Sequence, residues 1–274
     1  MANLRDEIRQ FCAEHNLRLN TDLGQHFLVD RSVLDAIMEA AKILPGDRIV
    51  EIGPGIGILT KELLEQGAHV TAIELDERMI PLLQKYVHHH LQATSYLLEA
   101  LHQNALAATM PREPYSIVAN IPYHITSPLL RHVYLESAGS TPLSMTLLIQ
   151  KEVADRICDT ENAGLLTVIV GLFGSARKII DVPPAAFLPP PKVDSAVIRI
   201  ESYPEPIADA QTIDEVIKLC KIAFAQKRKM LRNSFATFHG GLELLSAAAI
   251  DEKRRPQTLS VHEWIALAKV RMQA

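Results

Sequence analysis

Two short stretches carry residue types with which this chain could do chemistry. The first, Glu51–Gly57, places alternate glycines behind a carboxylate, and a second carboxylate, Glu74, ends the next apolar run. Glycines at Gly53, Gly55 and Gly57 let the backbone turn sharply and let a ligand lie against the main chain. A carboxylate at the end of a parallel strand can accept hydrogen bonds from both hydroxyls of a ribose. The stretch therefore predicts a nucleoside cofactor.

The spacing of the glycines favours one class of cofactor. A dinucleotide fold uses G-x-G-x-x-G, and counting from Gly53 puts Ile58 at its third glycine. The pattern E-x-G-x-G-x-G, starting at Glu51, instead resembles the cofactor motif of S-adenosylmethionine (SAM) methyltransferases. Its acidic residue suits the positively charged amino-acid end of that cofactor. This spacing argues against a nicotinamide dehydrogenase. The alternative to a cofactor motif is that the glycines only form an ordinary tight turn between a strand and a helix.

The second stretch, Asn120-Ile121-Pro122-Tyr123, fits the pattern N-x-P-Y/F of enzymes that methylate exocyclic amines of nucleobases. An adenine amino nitrogen is a poor nucleophile because its lone pair is delocalised into the ring. The Asn120 amide oxygen and a main-chain carbonyl can accept its two hydrogens and favour a pyramidal nitrogen. Pro122 stiffens the loop, and Tyr123 offers a face on which a flipped base can stack. A proline-containing turn with a core tyrosine is the alternative interpretation.

Hydrophobic periodicity predicts the elements that position these stretches. Strands are predicted at residues 49–52, 70–73, 97–104, 115–119, 144–150 and 196–200, the last antiparallel. Helices are predicted at 31–42, 58–64, 76–90, 129–136, 151–158 and 164–173, and then at 213–224, 229–238, 242–249 and 261–274. This alternation predicts a doubly wound, Rossmann-like α/β domain over residues 1–203, with a lid segment at 1–30. A linker near Ser202 precedes a small all-helical domain over residues 204–274.

Composition and charge exclude several classes of protein. The net charge of −4 argues against a wholly basic nucleic-acid binder, so any RNA contact must come from a local patch. The cysteines form no C-x-x-C pair, which predicts a reducing cytoplasm and no metal site. The longest apolar run, residues 165–173, is too short to span a bilayer. His88, His89 and His90 splay around a helix and are interpreted as its solvated end.

One stretch supplies the local basic patch. Cationic side chains crowd residues 218–232 with no acid among them: Lys218, Lys221, Lys227, Arg228, Lys229 and Arg232. Such a patch suits a phosphate backbone and predicts salt-dependent binding. Alternatively, the charges simply solvate a helix face.

Several motifs occur in an order that identifies a resemblance. They are Gly24–Leu28 (GQHFL), Glu51–Gly57, Asn120–Tyr123, Gln150–Val153 (QKEV), Phe187–Ser195 (FLPPPKVDS) and Phe224–Ser234 (FAQKRKMLRNS). Together the chain resembles the ribosomal RNA adenine N6,N6-dimethyltransferase family, and within it the bacterial small-subunit (16S) branch. The glycine and N-x-P-Y motifs are shared with 23S erythromycin-resistance methylases, whereas the last two motifs favour the 16S branch.

The resemblance implies a role for each matching residue. The residues implied to contact the cofactor are Gln25, His26, Leu28, Glu51, Gly53, Gly55, Gly57, Glu74, Asn104 and Asn120. The residues implied to hold the target adenine are Asn120, Ile121, Pro122 and Tyr123, with Phe187 stacked on its other face. Family members usually carry Asn at the position of His26, Asp at that of Asn104, and Asn at that of His124.

The resemblance also implies an activity and partners. The expected reaction is SAM-dependent dimethylation of N6 of two adjacent adenosines in a 3′-terminal helix loop of 16S rRNA. The expected substrate is the assembling 30S subunit, met in the cytoplasm by a monomer with no membrane contact. A 23S-directed methylase, or a ribosome-assembly factor whose activity has lapsed, are the alternatives. Loss of Glu74, Asn120 or Tyr123 would indicate the lapsed factor, and all three are present.

Overall fold

The computed structural model describes residues 3–19, 24–91, 97–226 and 229–273, and its described strands form two sheets. The strands are β1 (Phe27–Leu28), β2 (Arg48–Ile52), β3 (His69–Glu74), β4 (Leu98–His102), β5 (Ser116–Asn120), β6 (Ser144–Gln150), β7 (Gly174–Val182), β8 (Phe187–Leu188) and β9 (Ser195–Ser202). The larger sheet has the order β4-β3-β2-β5-β6-β9-β7, and β1 pairs with β8 in the smaller one.

Helices alternate with the strands of the larger sheet and then follow them. They are α1 (Leu4–Glu14), α2 (Arg31–Ala41), α3 (Ile58–Glu65), α4 (Met79–His90), α5 (Thr126–Arg131), α6 (Lys151–Cys158), α7 (Leu165–Phe173), α8 (Ala210–Phe224), α9 (Leu231–Phe235), α10 (Gly241–Ala247) and α11 (Val261–Gln273). Asp30 caps α2, as its position predicts, by accepting a hydrogen bond of 2.9 Å from the Ser32 amide.

The central strands run parallel, and this brings the two chemical stretches to one edge. β2 pairs in parallel with β3 and β5, and β5 pairs in parallel with β6. Glu74 ends β3 and Asn120 ends β5, while the glycine turn follows β2. The predicted antiparallel strand is confirmed as β9, which pairs antiparallel with β6. Ligands bind at the carboxyl edge of such sheets.

The described chain divides into two compact units, and the division is discontinuous. One unit comprises residues 1–154 and 177–202, and the other comprises residues 155–176 and 203–274. The sequence predicted a single boundary at residue 203 and assigned α7 to the α/β domain. Instead α7, most of whose residues are buried, contacts α8 and α11. An apolar helix joins whichever neighbours bury its surface, and this is not encoded in its own residues.

The structure differs from the predicted elements at further places, among them the short strands β1 and β8, which were not predicted. Strand β7 was not predicted, because apolar and polar residues do not alternate along its sequence. The helix predicted at 129–136 is α5 followed by a π-helical turn, His132–Glu136. The helix predicted at 229–238 is reduced to α9.

Candidate active site

The glycines of the turn after β2 have left-handed φ angles, and neighbouring side chains pack closely against Gly55 and Gly57. Gly53 and Gly55 have φ angles of +66° and +57°, in the left-handed region that side chains disfavour. The Gly53 amide donates a hydrogen bond of 2.9 Å to the Ile73 carbonyl, which fixes the turn beside β3. A Cβ on Gly55 would lie 2.7 Å from Cε1 of Phe27. The lid segment therefore packs directly on the turn. Gly57, the third glycine, precedes α3 with a φ of +100°.

Glu74 is held in place by two main-chain amides. Its Oε2 accepts a hydrogen bond of 3.1 Å from Gly55, and its Oε1 accepts one of 2.9 Å from Asp76. Burial raises the pKa of this carboxyl, while both amides act to lower it. Each carboxylate oxygen has a further lone pair, so both can still accept from hydroxyl groups. These hydrogen bonds leave Glu74 able to bind a ribose, and that role stays a prediction.

Glu51 is a buried carboxylate with a strongly perturbed pKa. Only 1% of the residue is exposed, and its Oε2 accepts a hydrogen bond of 2.6 Å from Thr60. Burial, to which the charge of Glu74 adds, raises its pKa to about 8. The charge of Glu74 disfavours the ionisation of Glu51, and a cleft that holds two carboxylates is suited to a cation. SAM is cationic at its ammonium and sulfonium groups, so these residues fit the expected cofactor.

The lid segment contacts the sheet edge through polar side chains. Gln25 Nε2 donates a hydrogen bond of 2.8 Å to Asp76 Oδ2, and His26 Nδ1 lies 2.8 Å from the Pro189 carbonyl. Leu28 is buried in β1 and pairs with Phe187 of β8. Hydrogen bonds from Arg78 and then Gln25 lower the pKa of Asp76 to about 2. The sequence analysis missed Asp76, although a carboxylate two residues beyond Glu74 was a usable signal.

The Asn120 side chain is oriented by the main chain of the lid. Its Nδ2 donates a hydrogen bond of 3.1 Å to the carbonyl oxygen of His26. A carbonyl can only accept, so the amide nitrogen must face it, and Oδ1 remains as an acceptor. Ile121 is buried and donates its amide to Leu148, while the Pro122 carbonyl accepts from Ile125. Hydrogen bonds therefore hold three of the four residues of the motif, Asn120, Ile121 and Pro122.

Tyr123 is partly exposed, and its hydroxyl is engaged. The Tyr123 Oη and Ser195 Oγ atoms are 2.5 Å apart, and Ser195 is fully buried at the start of β9. Burial raises the pKa of the Tyr123 phenol. The ring of Tyr123 is nearly parallel to that of His26, with 14° between planes and 6.4 Å between centroids. Ser195 lies in a motif that the sequence analysis quoted but gave no individual role.

Phe187, which the family resemblance predicts to stack on the target adenine, is fully buried in this structure. The residue has no exposed surface and belongs to the hydrophobic core, with Leu28 opposite it across the β1–β8 pair. A base cannot stack on a ring that is covered by protein on both faces. The stacking role of Phe187 would require this packing to open, and it stays a prediction. The burial results from the β1–β8 pairing, which joins two segments far apart in the sequence.

A cleft at the carboxyl edge brings the predicted cofactor residues together. Its lining includes Gln25, His26, Leu28, Glu51, Gly53, Gly55, Glu74, Asn104 and Asn120. Asn104 is exposed, and its Oδ1 accepts a hydrogen bond of 2.9 Å from the Leu106 amide. Of the motif loop, Pro122 and His124 also line the cleft. Gly57 is not part of this lining. A Cβ there would lie 2.5 Å from Cδ1 of Leu83 in α4.

The basic segment is only partly described. Lys227 and Arg228 lie outside the described residues. The other predicted cations are exposed: Lys218, Lys221, Lys229 and Arg232. Lys218 Nζ lies 2.7 Å from an oxygen of Asp214 and 3.6 Å from one of Glu215, so acids on its own helix offset its charge. Lys218 is therefore the weakest of these candidates for a phosphate contact.

The described residues also bear on two other classes of site. Within the described ranges, no helix is long and apolar enough to cross a membrane. The same residues contain no group of three or more His, Cys, Asp and Glu side chains arranged to hold a metal ion. His90, at the end of α4, is not simply solvated, because its Nε2 lies 3.2 Å from a Glu7 oxygen.

Comparisons with known proteins agree with the geometry of the cleft. The family model described as ribosomal RNA adenine dimethylase matches residues 16–272. Proteins named ribosomal RNA small subunit methyltransferase A are similar along most of the chain. The one from Bartonella bacilliformis is 41% identical over 96% of this chain and 96% of its own length. The one from Phenylobacterium zucineum is 40% identical over 95% and 91% respectively.

Two solved structures share the fold. A dimethyladenosine transferase from Plasmodium falciparum superimposes with a TM-score of 0.75 at 28% identity, over 88% of this chain and 96% of that one. The 23S rRNA methyltransferase ErmE superimposes with a TM-score of 0.70 at 26% identity, over 89% and 98%. The predicted Rossmann-like methyltransferase fold is thereby confirmed.

Proposed function

The chain belongs to the ribosomal RNA adenine dimethylase family, and from this premise we propose that it dimethylates N6 of two adjacent adenosines in a 3′-terminal helix loop of 16S rRNA. It is an rRNA adenine dimethyltransferase that uses SAM as its cofactor. The choice of 16S rRNA rests on the two relatives named for the small subunit, and on the FLPPPKVDS and FAQKRKMLRNS motifs.

One observation carries the chemical part of the proposal. Asn120 ends β5 beside the cleft, and the His26 carbonyl engages its amide nitrogen at 3.1 Å. The remaining Oδ1 acceptor suits an amine hydrogen of adenine. We assign the second acceptor to the Ile121 carbonyl, since the Pro122 carbonyl is used within the loop. Two acceptors favour a pyramidal amine nitrogen, whose lone pair can attack the methyl group of SAM. Because this nitrogen is correctly oriented, the reaction needs no strong general base.

The residues of the cleft hold the cofactor in this proposal. Glu74 accepts the ribose hydroxyls, Glu51 faces the ammonium group, and the Asn104 amide oxygen accepts from the adenine amine. Gln25, His26 and Leu28 cover the cleft, while the glycine turn supports it from below. When bound, SAM supplies an electrophilic methyl group on its sulfonium. The excess proton on the methylated nitrogen passes to water.

The substrate and partner are part of the proposal. We propose that the enzyme acts as a monomer on the assembling 30S subunit in the cytoplasm. Tyr123 supports the flipped adenine, for which aromatic stacking is worth about 1–3 kcal/mol per base. Lys221, Lys229 and Arg232 are exposed and suited to phosphate contacts, with Lys227 and Arg228 outside the described residues. Such contacts make binding steeply dependent on salt.

Methyl transfer from radiolabelled SAM tests the proposal. The substrates are 30S particles that lack adenine dimethylation and, in parallel, 50S particles. Label in dimethyladenosine of the 30S particle is the expected result, and Asn120→Ala is expected to abolish it while SAM still binds. Full activity of Asn120→Ala would contradict the catalytic role of that residue.

The other outcomes identify the alternatives. Label in the 50S particle alone would assign the chain to 23S-directed chemistry, the activity named for ErmE. Absence of label in either particle, with SAM bound, would indicate an assembly factor without activity. Primer extension across the labelled rRNA then locates the methylated nucleotides.

A further inference from the structure

We propose that Ser195 is a positioning residue for the methyl transfer, and that it acts by holding the Tyr123 side chain in one orientation. The proposal rests on the proposed function, in which Tyr123 supports the target adenine. Tyr123 Oη and Ser195 Oγ lie 2.5 Å apart, which is within hydrogen-bond distance, and either hydroxyl can donate. Ser195 thereby sets the position of a ring that meets the substrate, without meeting the substrate itself.

The burial of Ser195 explains why its hydroxyl requires this partner. Ser195 has no exposed surface, and the residues that follow it in β9, Ala196–Ile198, are buried and apolar. A buried hydroxyl without a hydrogen-bond partner costs free energy, because it has lost its bonds to water. Within the described chain, the partner of the Ser195 side chain is the Tyr123 hydroxyl. The orientation of Tyr123 that brings Oη to Ser195 is therefore favoured over those that leave Oγ unpaired.

The main chain around Ser195 is fixed by the larger sheet. Ser195 pairs with Gln150 at the end of β6, and the Asp194 carbonyl accepts a hydrogen bond of 3.0 Å from the Lys151 amide. Tyr123 is only partly buried, so packing leaves its ring more freedom than a core side chain has. The hydrogen bond to a fixed strand removes this freedom before the substrate binds, and a preorganised site loses less entropy on binding.

The same two strands also hold the main chain of the motif loop. The Ile121 amide donates a hydrogen bond of 3.1 Å to the Leu148 carbonyl of β6, and Leu148 pairs with Val197 of β9. The β6–β9 pair therefore holds the loop at two points, through the backbone of Ile121 and through the side chain of Tyr123. The Ile121 carbonyl is the second acceptor in the proposed reaction. Ser195 thus fixes the tyrosine ring relative to that acceptor, and the rate of methyl transfer depends steeply on such geometry.

The position of Ser195 also predicts which step it leaves unchanged. Of the described residues, those that line the cofactor cleft include neither Ser195 nor Tyr123. Loss of the Ser195 hydroxyl should therefore slow methyl transfer without weakening SAM binding. Removing one hydrogen bond between neutral groups corresponds to about a fivefold to tenfold effect, which sets the size expected for Ser195→Ala.

A double-mutant cycle tests whether Ser195 acts through Tyr123. Single-turnover methyl transfer to 30S particles that lack adenine dimethylation is measured at saturating SAM for the wild type, Ser195→Ala, Tyr123→Phe and the double variant. Phe keeps the ring and removes only the hydroxyl. We expect each single variant to slow transfer about fivefold to tenfold, and the double variant to be no slower than either of them.

Two results of the cycle would overturn the proposal. Losses that multiply in the double variant would mean that the two residues act independently. A loss in Tyr123→Phe at least about tenfold greater than that in Ser195→Ala would mean that the Tyr123 hydroxyl acts directly on the substrate, and that Ser195 does not control it.

Ser144→Ala is the matched control for a purely structural role. Ser144 is also buried and begins β6, and its Oγ lies 2.9 Å from Oγ of Ser116, which begins β5. This hydroxyl pair lies at the opposite end of the same parallel strands from the motif loop. Ser144→Ala should lower the midpoint of urea unfolding about as much as Ser195→Ala does, and leave the transfer rate and the SAM dissociation constant unchanged. An equal loss of rate in Ser144→Ala would overturn the role of Ser195, because any buried hydroxyl of the sheet would then have the same effect.

The wild-type protein separates this proposal from the proposed function. If the wild type methylates 30S adenines and Ser195→Ala equals it at saturating SAM, only the role of Ser195 is refuted. If the wild type transfers no methyl group to any adenine, the proposed function fails, and the role of Ser195 fails with it.

Discussion

Replacing Glu51 with Gln should make the cofactor-free protein more stable, and increasingly so as the pH rises. Burial raises the pKa of Glu51 from 4.5 to about 8, so the folded protein binds this proton more tightly than the unfolded chain. The resulting stabilisation is complete below pH 4.5 and is lost as the pH rises through 8. The pKa difference corresponds to about 4–5 kcal/mol of unfolding free energy. Gln cannot ionise and avoids this loss.

Urea denaturation of the cofactor-free protein at pH 5 to 9 measures the effect. We expect wild type and Glu51→Gln to be most similar at the acidic end and to diverge steadily up to about pH 8. The difference should then level off, since the carboxyl is fully ionised. The Thr60 hydroxyl can still donate to the amide oxygen of Gln, so the local packing is preserved. A difference that is constant with pH would refute the assignment of a raised pKa.

Glu62→Gln is a matched control of opposite sign. Glu62 lies on α3 and is also buried, but Arg31 Nη1 lies 2.7 Å from its Oε1. Burial acts to raise the pKa of Glu62, yet Arg31 and Lys61 lower it overall. Its contribution to stability is therefore present above pH 4.5 and lost as the pH falls through the lowered pKa. Glu62→Gln should destabilise the protein at neutral pH.

Ligand binding provides the second measurement on Glu51. An ammonium group favours the ionised carboxylate, so cofactor binding should release a proton below pH 8. The affinity for S-adenosylhomocysteine, which retains that ammonium, should rise by up to tenfold per pH unit between pH 6 and 8. Glu51→Gln should bind weakly, with little dependence on pH. Wild-type affinity in Glu51→Gln would contradict the placement of Glu51 against the ammonium group.

Three further predictions follow from single contacts. Gly55→Ala should lower the unfolding free energy by about 2 kcal/mol in urea, because of its φ of +57° and the contact of a Cβ with Phe27; a neutral effect would contradict this packing. Alanine at both Lys229 and Arg232 should weaken 30S binding at low salt and reduce the log–log salt slope by about two; an unchanged slope would exclude phosphate contacts. Asn104→Asp should tighten SAM binding about threefold by calorimetry, since a charged acceptor forms a stronger hydrogen bond; weaker binding would refute the proposed contact.

Local sequence patterns determined much of the fold and of the cofactor cleft. The parallel strands are runs of buried apolar residues, and β6 was predicted with its observed bounds, Ser144–Gln150. The placement of Glu74 and Asn120 at one edge of the sheet could be predicted, because both residues end strands and parallel strands present their carboxyl ends at one edge. These features depend on residues adjacent in the chain, and hydrophobic periodicity reports them.

Tertiary structure alone decided the burial of Phe187, the contact of Tyr123 with Ser195 and the boundaries of the two units. Phe187 and Ser195 belong to one motif, yet the first is buried against Leu28 and the second contacts Tyr123. A motif that resembles a family's motif implies a role for its residues. It does not specify which of their side chains face the core. Residues 155–176 join the helical unit for the same reason. Burial depends on which distant segments cover a side chain, and no local pattern contains that information.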